Sequence, residues 1–325
     1  MMLLKQNSAR EPALQPQLRF WDRAKDKLEN AGRRANDHLL LTRPYSDAEY
    51  LMTTITTKAI EKGPQFSLEP SDGLKSLAIF SLWAGLCWLL EASHKHEFRP
   101  KISKKAANAA YAIGAGIAAF FNPSTIAFSA LHYLSSVAYS KKEGKSWLLG
   151  AYSFFVRGAA QASVFAISQL LYSPALNLRH YALAAAVGAM TAARNLIGDL
   201  RDVKYDEKTF AVLYGRTPSD CVVAGLQLSA AALIAVAASP LASLPLVAQA
   251  SLQFVCKNAN KMHRLAVFSS SLTLGIIAAV MGGMEAAIVA GTVLAASAAL
   301  NVFSYMKVPR RSNVDYSDGE LAKHE

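Results

Sequence analysis

Cutting the chain at every Asp, Glu, Lys and Arg leaves runs that are too long and too apolar for a protein wetted on all sides. Ala106 to Ser140 carries no charge, and neither do Gly158 to Leu178, Cys221 to Cys256, Leu265 to Met284 or Ala286 to Met306. A bilayer core of roughly 30 Å takes about 20 mainly apolar residues per helix, and most of these pieces reach that length. Composition agrees, with 52% of residues hydrophobic and 18% charged, where a soluble domain carries about 25% charged residues. That argues against an ordinary water-soluble enzyme. Strands fit poorly, because Ala, Gly and Leu dominate and polar residues do not alternate at period two.

Proline removes a backbone donor and restricts the residue before it. Asn122-Pro123 therefore divides the first run into two helices, and Ser239-Pro240 and Pro245 break the Cys221 run. Nine spans follow, over 74–92, 104–121, 123–140, 146–172, 178–198, 218–238, 241–257, 264–282 and 284–306. Small-residue patterns such as Gly114-Ala115-Gly116 and Gly282-Gly283 suit close helix approach or turns. The expected fold is all-α, a multi-pass transmembrane helical bundle of about nine spans. Residues 1–38 are polar and mixed in charge, a tail or surface helix, and Met1 to Leu4 is followed by no apolar region long enough for a signal peptide. In residues 39–60, Asp47, Glu49 and Lys58 leave only a short uncharged stretch, which reads as a degenerate or interfacial helix. Residues 39–306 then form the membrane domain and 307–325 a C-terminal tail. Cys87, Cys221 and Cys256 are isolated among apolar neighbours, as small core residues rather than a disulfide framework or thiolate metal site.

The loops between these spans are of two kinds. One set is basic: Lys95, Arg99, Lys101, Lys104 and Lys105; three lysines over 141–145; four bases over 199–216; Lys257, Lys261 and Arg264; and Lys307, Arg310 and Arg311. The alternate set contributes only Arg179. This bias puts the basic loops and the C-terminus in the cytoplasm. The net charge of +11 thus reads as topology and contact with anionic lipid headgroups. Nucleic acid is not an expected partner, since no basic patch with interleaved aromatics stands apart from the spans.

One basic loop also carries acids. Asp199, Asp202 and Asp206 fall at i, i+3 and i+7, spacing that on a helix gathers all three carboxylates on one face. Like charges gathered at a membrane boundary repel, and a divalent cation compensates them. Oxygen-only ligands suit Mg²⁺, which keeps several waters and commonly bridges carboxylates to phosphates. The competing reading is a solvated helix end, in which Arg201, Lys204 and Lys208 neutralise the acids. Ionisable residues at the mouth of a bundle favour function, and Arg194, Asn195 and Lys204 around the acids are candidate substrate contacts.

The stretch Gly198-Asp199-Leu200-Arg201-Asp202-Val203-Lys204-Tyr205-Asp206, continuing through Thr209 and Phe210 to Gly215-Arg216, resembles the second aspartate-rich motif of the UbiA superfamily of membrane prenyltransferases. The resemblance implies Mg²⁺ held by Asp199, Asp202 and Asp206 against the diphosphate of an isoprenoid donor. Tyr139-Ser140-Lys141-Lys142-Glu143-Gly144-Lys145 is similar to the family's basic loop, implying a catalytic Tyr139 and a diphosphate-holding Lys145 or Lys142. Leu41-Thr42-Arg43-Pro44-Tyr45 looks like the family's entry to its first helix. At the first aspartate-rich motif the chain departs from the family, with Cys87, Glu91 and Lys95 at the three key positions and Arg99-Pro100 beyond. Lys95 or a protonated His there would substitute fixed positive charge for a second metal, and Arg99 and Glu91 join it as substrate-binding candidates. Glu91, His94 and His96 could alternatively ligate a transition metal, against the reading of a solvated loop. Arg157 lies inside a span, where charge is costly unless paired, so it is either a lining residue facing the diphosphate or half of a structural salt bridge.

The resemblance implies transfer of an isoprenyl group from an allylic prenyl diphosphate to a lipid-soluble, aromatic acceptor. Mg²⁺ and basic groups assist ionisation, and a dry pocket walled by aromatics such as Trp83, Trp88, Tyr111, Phe120, Phe154 and Phe155 shelters the cation. The alternatives are a terpene cyclase of the same superfamily and a non-catalytic lipid-binding descendant.

Overall fold

The computed structural model describes residues 44–93, 102–142, 146–204 and 206–307, and the described residues are helical with no strand. The helices are α1 (Pro44–Lys62), α2 (Pro70–Ser93), α3 (Lys104–Phe121), α4 (Thr125–Tyr139), α5 (Trp147–Ala151), α6 (Ser153–Leu170), α7 (Leu178–Arg201), α8 (Phe210–Tyr214), α9 (Arg216–Ala237) and α10 (Pro240–Gln253), followed by the run Ala259–Lys307. That run is broken at Gly283, whose φ of 72° and ψ of −158° are not helical. Its halves, α11 (259–282) and α12 (284–307), fold back on each other, since Gly275 faces Ala290 and Leu294. A positive φ favours glycine, so the Gly282-Gly283 turn read in the sequence is the hinge of this hairpin.

Successive long helices pack side by side and the last hairpin returns to α1, closing a ring. Local chemistry sets the turns. Ser103 caps α3, Asn177 and His180 form a capping box on α7, and Ser239 caps α10 ahead of Pro240. At the α3–α4 turn, the Asn122 side chain accepts from Ser124 N and donates to the carbonyls of Leu170 and Ser173, pinning this hairpin to the end of α6. Small residues let helices touch. A Cβ on Gly158 would stand 2.6 Å from the Gly188 carbonyl, so α6 and α7 meet almost backbone to backbone, the small-residue packing of membrane bundles.

One apolar cluster, including Met52, Phe165, Met190, Ile234, Leu246 and Ile277, joins α1 to the second half of the ring. A second, including Ile79, Leu82, Leu86, Val164 and Ile167, joins α2, α3 and α6. Outward surfaces carry Phe120, Ile126, Leu134, Val236, Leu244 and Ile288 exposed, as lipid-facing positions require. Pro70–Ser93, Arg216–Ala237 and Ala259–Ala299 are each long and apolar enough to cross a membrane. The protein is an integral membrane protein.

The segment around 39–60 differs from the sequence expectation. Its described part, α1, is not interfacial: it packs against the last hairpin, α2 and α6 as the member that closes the ring, with Tyr50, Met52, Thr53, Thr56, Thr57 and Lys58 all buried. Two of the three charges that interrupt its apolar pattern are paired internally, Glu49 with Arg194 and Lys58 with Asp72 at 2.5 Å and Glu69 at 3.5 Å. Pro245 does not break its helix, because α10 runs through it; its missing N–H removes one intrahelical bond, the one to the Leu241 carbonyl, and the helix continues on both sides. The span expected over 146–172 is interrupted at Tyr152 (φ −110°, ψ 18°), which separates α5 from α6. Cys87 is buried as expected, whereas Cys221 is exposed on α9.

Candidate active site

The acidic loop and the basic loop come together where α4 and α7 end. Lys142, in the turn after α4, places its ammonium 3.2 Å from Asp199 Oδ1 and 3.5 Å from Asp206 Oδ2. All three side chains are nearly buried, at 11%, 5% and 7% exposure. Gly150 permits the approach. A Cβ there would lie 2.7 Å from the Lys208 carbonyl and 3.1 Å from that of Lys142, so any larger residue would push the two loops apart.

The three aspartates do not share one helix face. Asp199 is in the last turn of α7, but the helix ends at Arg201 and Asp202 is its C-cap. Asp206 returns through a turn closed by its N–H on the Asp202 carbonyl at 3.1 Å. Asp202 instead meets its neighbour Arg201 in two hydrogen bonds, 2.8 and 2.6 Å long. Spacing alone presumes a helix continuing through Asp206, and here it ends at Arg201, less than one turn past Asp199.

Electrostatics follow from this burial. Desolvation is the largest influence on Asp199 and pushes its carboxyl up to about 6, against the pull of Lys142 and with Asp206 adding to the rise. Burial works against the Lys142 charge too, but Asp199, Tyr139 and Asp206 outweigh it and hold the ammonium protonated well above its ordinary range. Asp199 Oδ2 is buried with no hydrogen-bond partner, a costly condition. Two carboxylates, one orphaned oxygen and a net charge of −1 fit a cation that takes a few protein oxygens and keeps waters for its other positions. Among the described residues no three His, Cys, Asp or Glu side chains converge on a metal position.

Beneath the mouth, Tyr139 donates to Asn195 Oδ1 at 3.1 Å, and Asn195 donates back to the Thr191 carbonyl at 2.8 Å. Arg194 is not turned to the mouth; it is ion-paired with Glu49 of α1. Arg157 donates to the Tyr50 hydroxyl at 3.2 Å and lies over the Trp83 ring at 5.1 Å. Tyr50 in turn donates to Gln161 Oε1 and stacks on Trp83 with centroids 4.3 Å apart. Glu91 is buried near the end of α2, and Lys204 is exposed in the turn after α7. Lys95, Arg99 and Lys145, with His94 and His96, lie outside the described residues. Of the aromatics considered as pocket walls, Trp83, Tyr111 and Phe154 are buried, while Phe120 and Phe155 face outward. Phe154 also meets Phe210 edge-on at 5.7 Å, tying α8 to the start of α6.

Glu49, Tyr50 and Gln161 were missed as site residues. Glu49 read as a charge interrupting a span, and Tyr50 and Gln161 carry no spacing signal. An Arg inside an apolar run does demand partners, which is the one hint the sequence held.

No protein-family profile matches the chain, and no curated protein sequence matches it. Its fold does match solved structures. Against a UbiA homologue from Archaeoglobus fulgidus bound to GPP and Mg²⁺ the TM-score is 0.57 at 16% identity, covering 75% of this chain and 99% of that one. An apo UbiA homologue from Aeropyrum pernix K1 gives 0.53 at 15% identity, with 82% and 98% covered. A structure of digeranylgeranylglyceryl phosphate synthase gives 0.53 at 14% identity, with 82% and 99% covered. The chain shares the fold of these UbiA homologues.

Proposed function

We propose that the chain is a membrane prenyltransferase that moves an isoprenyl group from an allylic prenyl diphosphate to a lipid-soluble, aromatic acceptor, with its active-site loops on the cytoplasmic side. The observation that carries this is Lys142 seated between Asp199 and Asp206, 57 and 64 residues away along the chain. Two buried acids and a buried base gathered at one mouth are what a diphosphate held through a cation needs. The similarity to a UbiA homologue bound to GPP and Mg²⁺ supports the reading.

Asp199 and Asp206 would hold Mg²⁺, which would supply positive charge toward the departing diphosphate. Lys142 adds a fixed cation at the same place and donates hydrogen bonds to phosphate oxygens. Tyr139, held by Asn195, lies with its ring 5.8 Å from the Lys142 ammonium, an electron-rich face beside the position where an allylic cation would form. The closed helical ring keeps bulk water from that cation.

The test is the chain in lipid nanodiscs, incubated with allylic diphosphates of several lengths, with and without Mg²⁺ and with candidate acceptors. Metal-dependent release of diphosphate and a prenylated product are expected, and both should disappear in the Asp199→Asn, Asp206→Asn double variant. Full activity of that variant would overturn the assignment. A cyclic hydrocarbon or alcohol formed without acceptor would identify a terpene cyclase instead, and binding of donor without any turnover a non-catalytic descendant.

A further inference from the structure

The short helices α5 and α8 lie beside the mouth rather than within the spans. From Ser153 to Leu170, α6 has 18 residues, about 27 Å of helix against a bilayer core of roughly 30 Å. Only Tyr152 separates α5 from the start of α6, so α5 falls at the membrane boundary, on the side where α4 and α7 end. α8 is seated there with it. A Cβ on Gly150 of α5 would stand 2.7 Å from the Lys208 carbonyl, Phe210 meets Tyr152 and Phe154 at 6.3 and 5.7 Å, and Ala211 is buried with Leu200 and Ala259.

Each short helix buries small residues and displays large ones. In α5, Gly150 and Ala151 are buried while Trp147 and Leu148 are 58% and 53% exposed. In α8, Ala211 is buried while Leu213 and Tyr214 are 45% and 46% exposed. Large apolar side chains at a bilayer boundary, with a Trp and a Tyr among them, have the composition of an interfacial belt. Exposed lysines stand near them: Lys141 in the turn after α4, and Lys257 and Lys261 on either side of Ala259. Against these, Glu207 is exposed in the loop before α8. The balance of charge suits an anionic surface. The same two helices also hold the mouth together, since a Cβ on Gly150 would lie 3.1 Å from the Lys142 carbonyl and α8 follows Asp206 directly in the chain.

We propose that α5 and α8 form a shelf that docks on an anionic lipid surface, with Trp147, Leu148, Leu213 and Tyr214 at the boundary of headgroups and acyl chains and Lys141, Lys257 and Lys261 on lipid phosphates. Docking braces the loops that carry Lys142 and Asp206, so the order of the mouth depends on the charge of the leaflet. The shelf does not rest on the prenyl-transfer reading, because its packing involves neither donor nor acceptor.

The experiment compares the full chain in nanodiscs of phosphatidylcholine with and without phosphatidylglycerol. Trp147 fluorescence, taken as the difference between wild type and Trp147→Phe, should be quenched by a lipid carrying a nitroxide near its headgroup, and less by one carrying it near the end of the acyl chain. Amide hydrogen exchange over residues 147–152 and 210–215 should slow about tenfold or more in the anionic discs, the worth of two or three lysines at a charged surface. The triple variant Lys141→Gln, Lys257→Gln, Lys261→Gln should exchange like wild type in neutral discs and lose the slowing in anionic ones, which a merely damaged fold would not do. Inorganic phosphate added to neutral discs should not reproduce the slowing; if it does, the loops hold phosphate from solution and lipid docking is overturned. Quenching of Trp147 by a water-soluble quencher but by neither lipid, or equal exchange in the two kinds of disc, also overturns the shelf. Neither readout uses a prenyl donor, so failure of prenyl transfer would leave these results standing.

Discussion

Lys142→Met removes the ammonium that separates two buried carboxylates. At 3.2 and 3.5 Å, and with an effective dielectric constant of about 20, each Lys142 contact amounts to roughly 5 kcal/mol of gross attraction. Much of that offsets desolvation, and removing one partner of a buried pair leaves a net loss of about 3–5 kcal/mol. The variant in chelator should therefore unfold well below wild type. Its two acids then carry a charge of −2 where wild type carries −1, so Mg²⁺ should bind more tightly and recover more stability in the variant than in the parent, by mass action. Donor turnover should nevertheless fall, because the fixed cation that meets the leaving diphosphate is gone. The assay is thermal unfolding in nanodiscs with and without Mg²⁺, alongside diphosphate release. An unchanged midpoint in chelator, or equal Mg²⁺ stabilisation of both proteins, would refute the reasoning.

The aspartates should separate by role. Asp199→Asn should cost on the order of a hundredfold or more in turnover, about the loss of one preorganised electrostatic group, whereas Asp202→Asn, whose carboxylate is engaged by Arg201, should stay within a few-fold; equal losses would contradict the observed geometry. Lys58→Met should destabilise by about 3–5 kcal/mol, because it strands the buried Asp72, and adding Asp72→Leu should recover much of that in a double-mutant cycle. Gly158→Val should lower thermal stability and disturb donor binding together, since the new Cβ meets the Gly188 carbonyl at 2.6 Å and Arg157 is the adjacent residue; an unaffected variant would mean α6 and α7 can part freely.

Hydropathy and punctuation made most of the bundle legible. The run boundaries at Asn122-Pro123, Ser239-Pro240 and Gly282-Gly283 are turns in the structure, because each carries local chemistry that interrupts a helix wherever it occurs. Pro245 and Tyr152 were misjudged for the complementary reason. An interior proline removes one hydrogen bond, which packing of the rest of the helix can outweigh, and a break at a tyrosine leaves no local mark.

By itself the sequence determined an all-helical membrane chain, its principal turns, and an acidic loop and a basic loop with matching chemistry. These are sums over neighbouring residues, and burial of backbone in an apolar medium permits few other solutions. Tertiary structure alone decided that α1 closes the ring, that Lys142 joins Asp199 and Asp206 while Asp202 turns to Arg201, and that Arg194 has a counter-ion where, among the described residues, Arg157 has none. Glu49 and Arg194 are 145 residues apart. Whether a charge is paired depends on which distant side chain the packing brings to it, and no local window of sequence contains that partner.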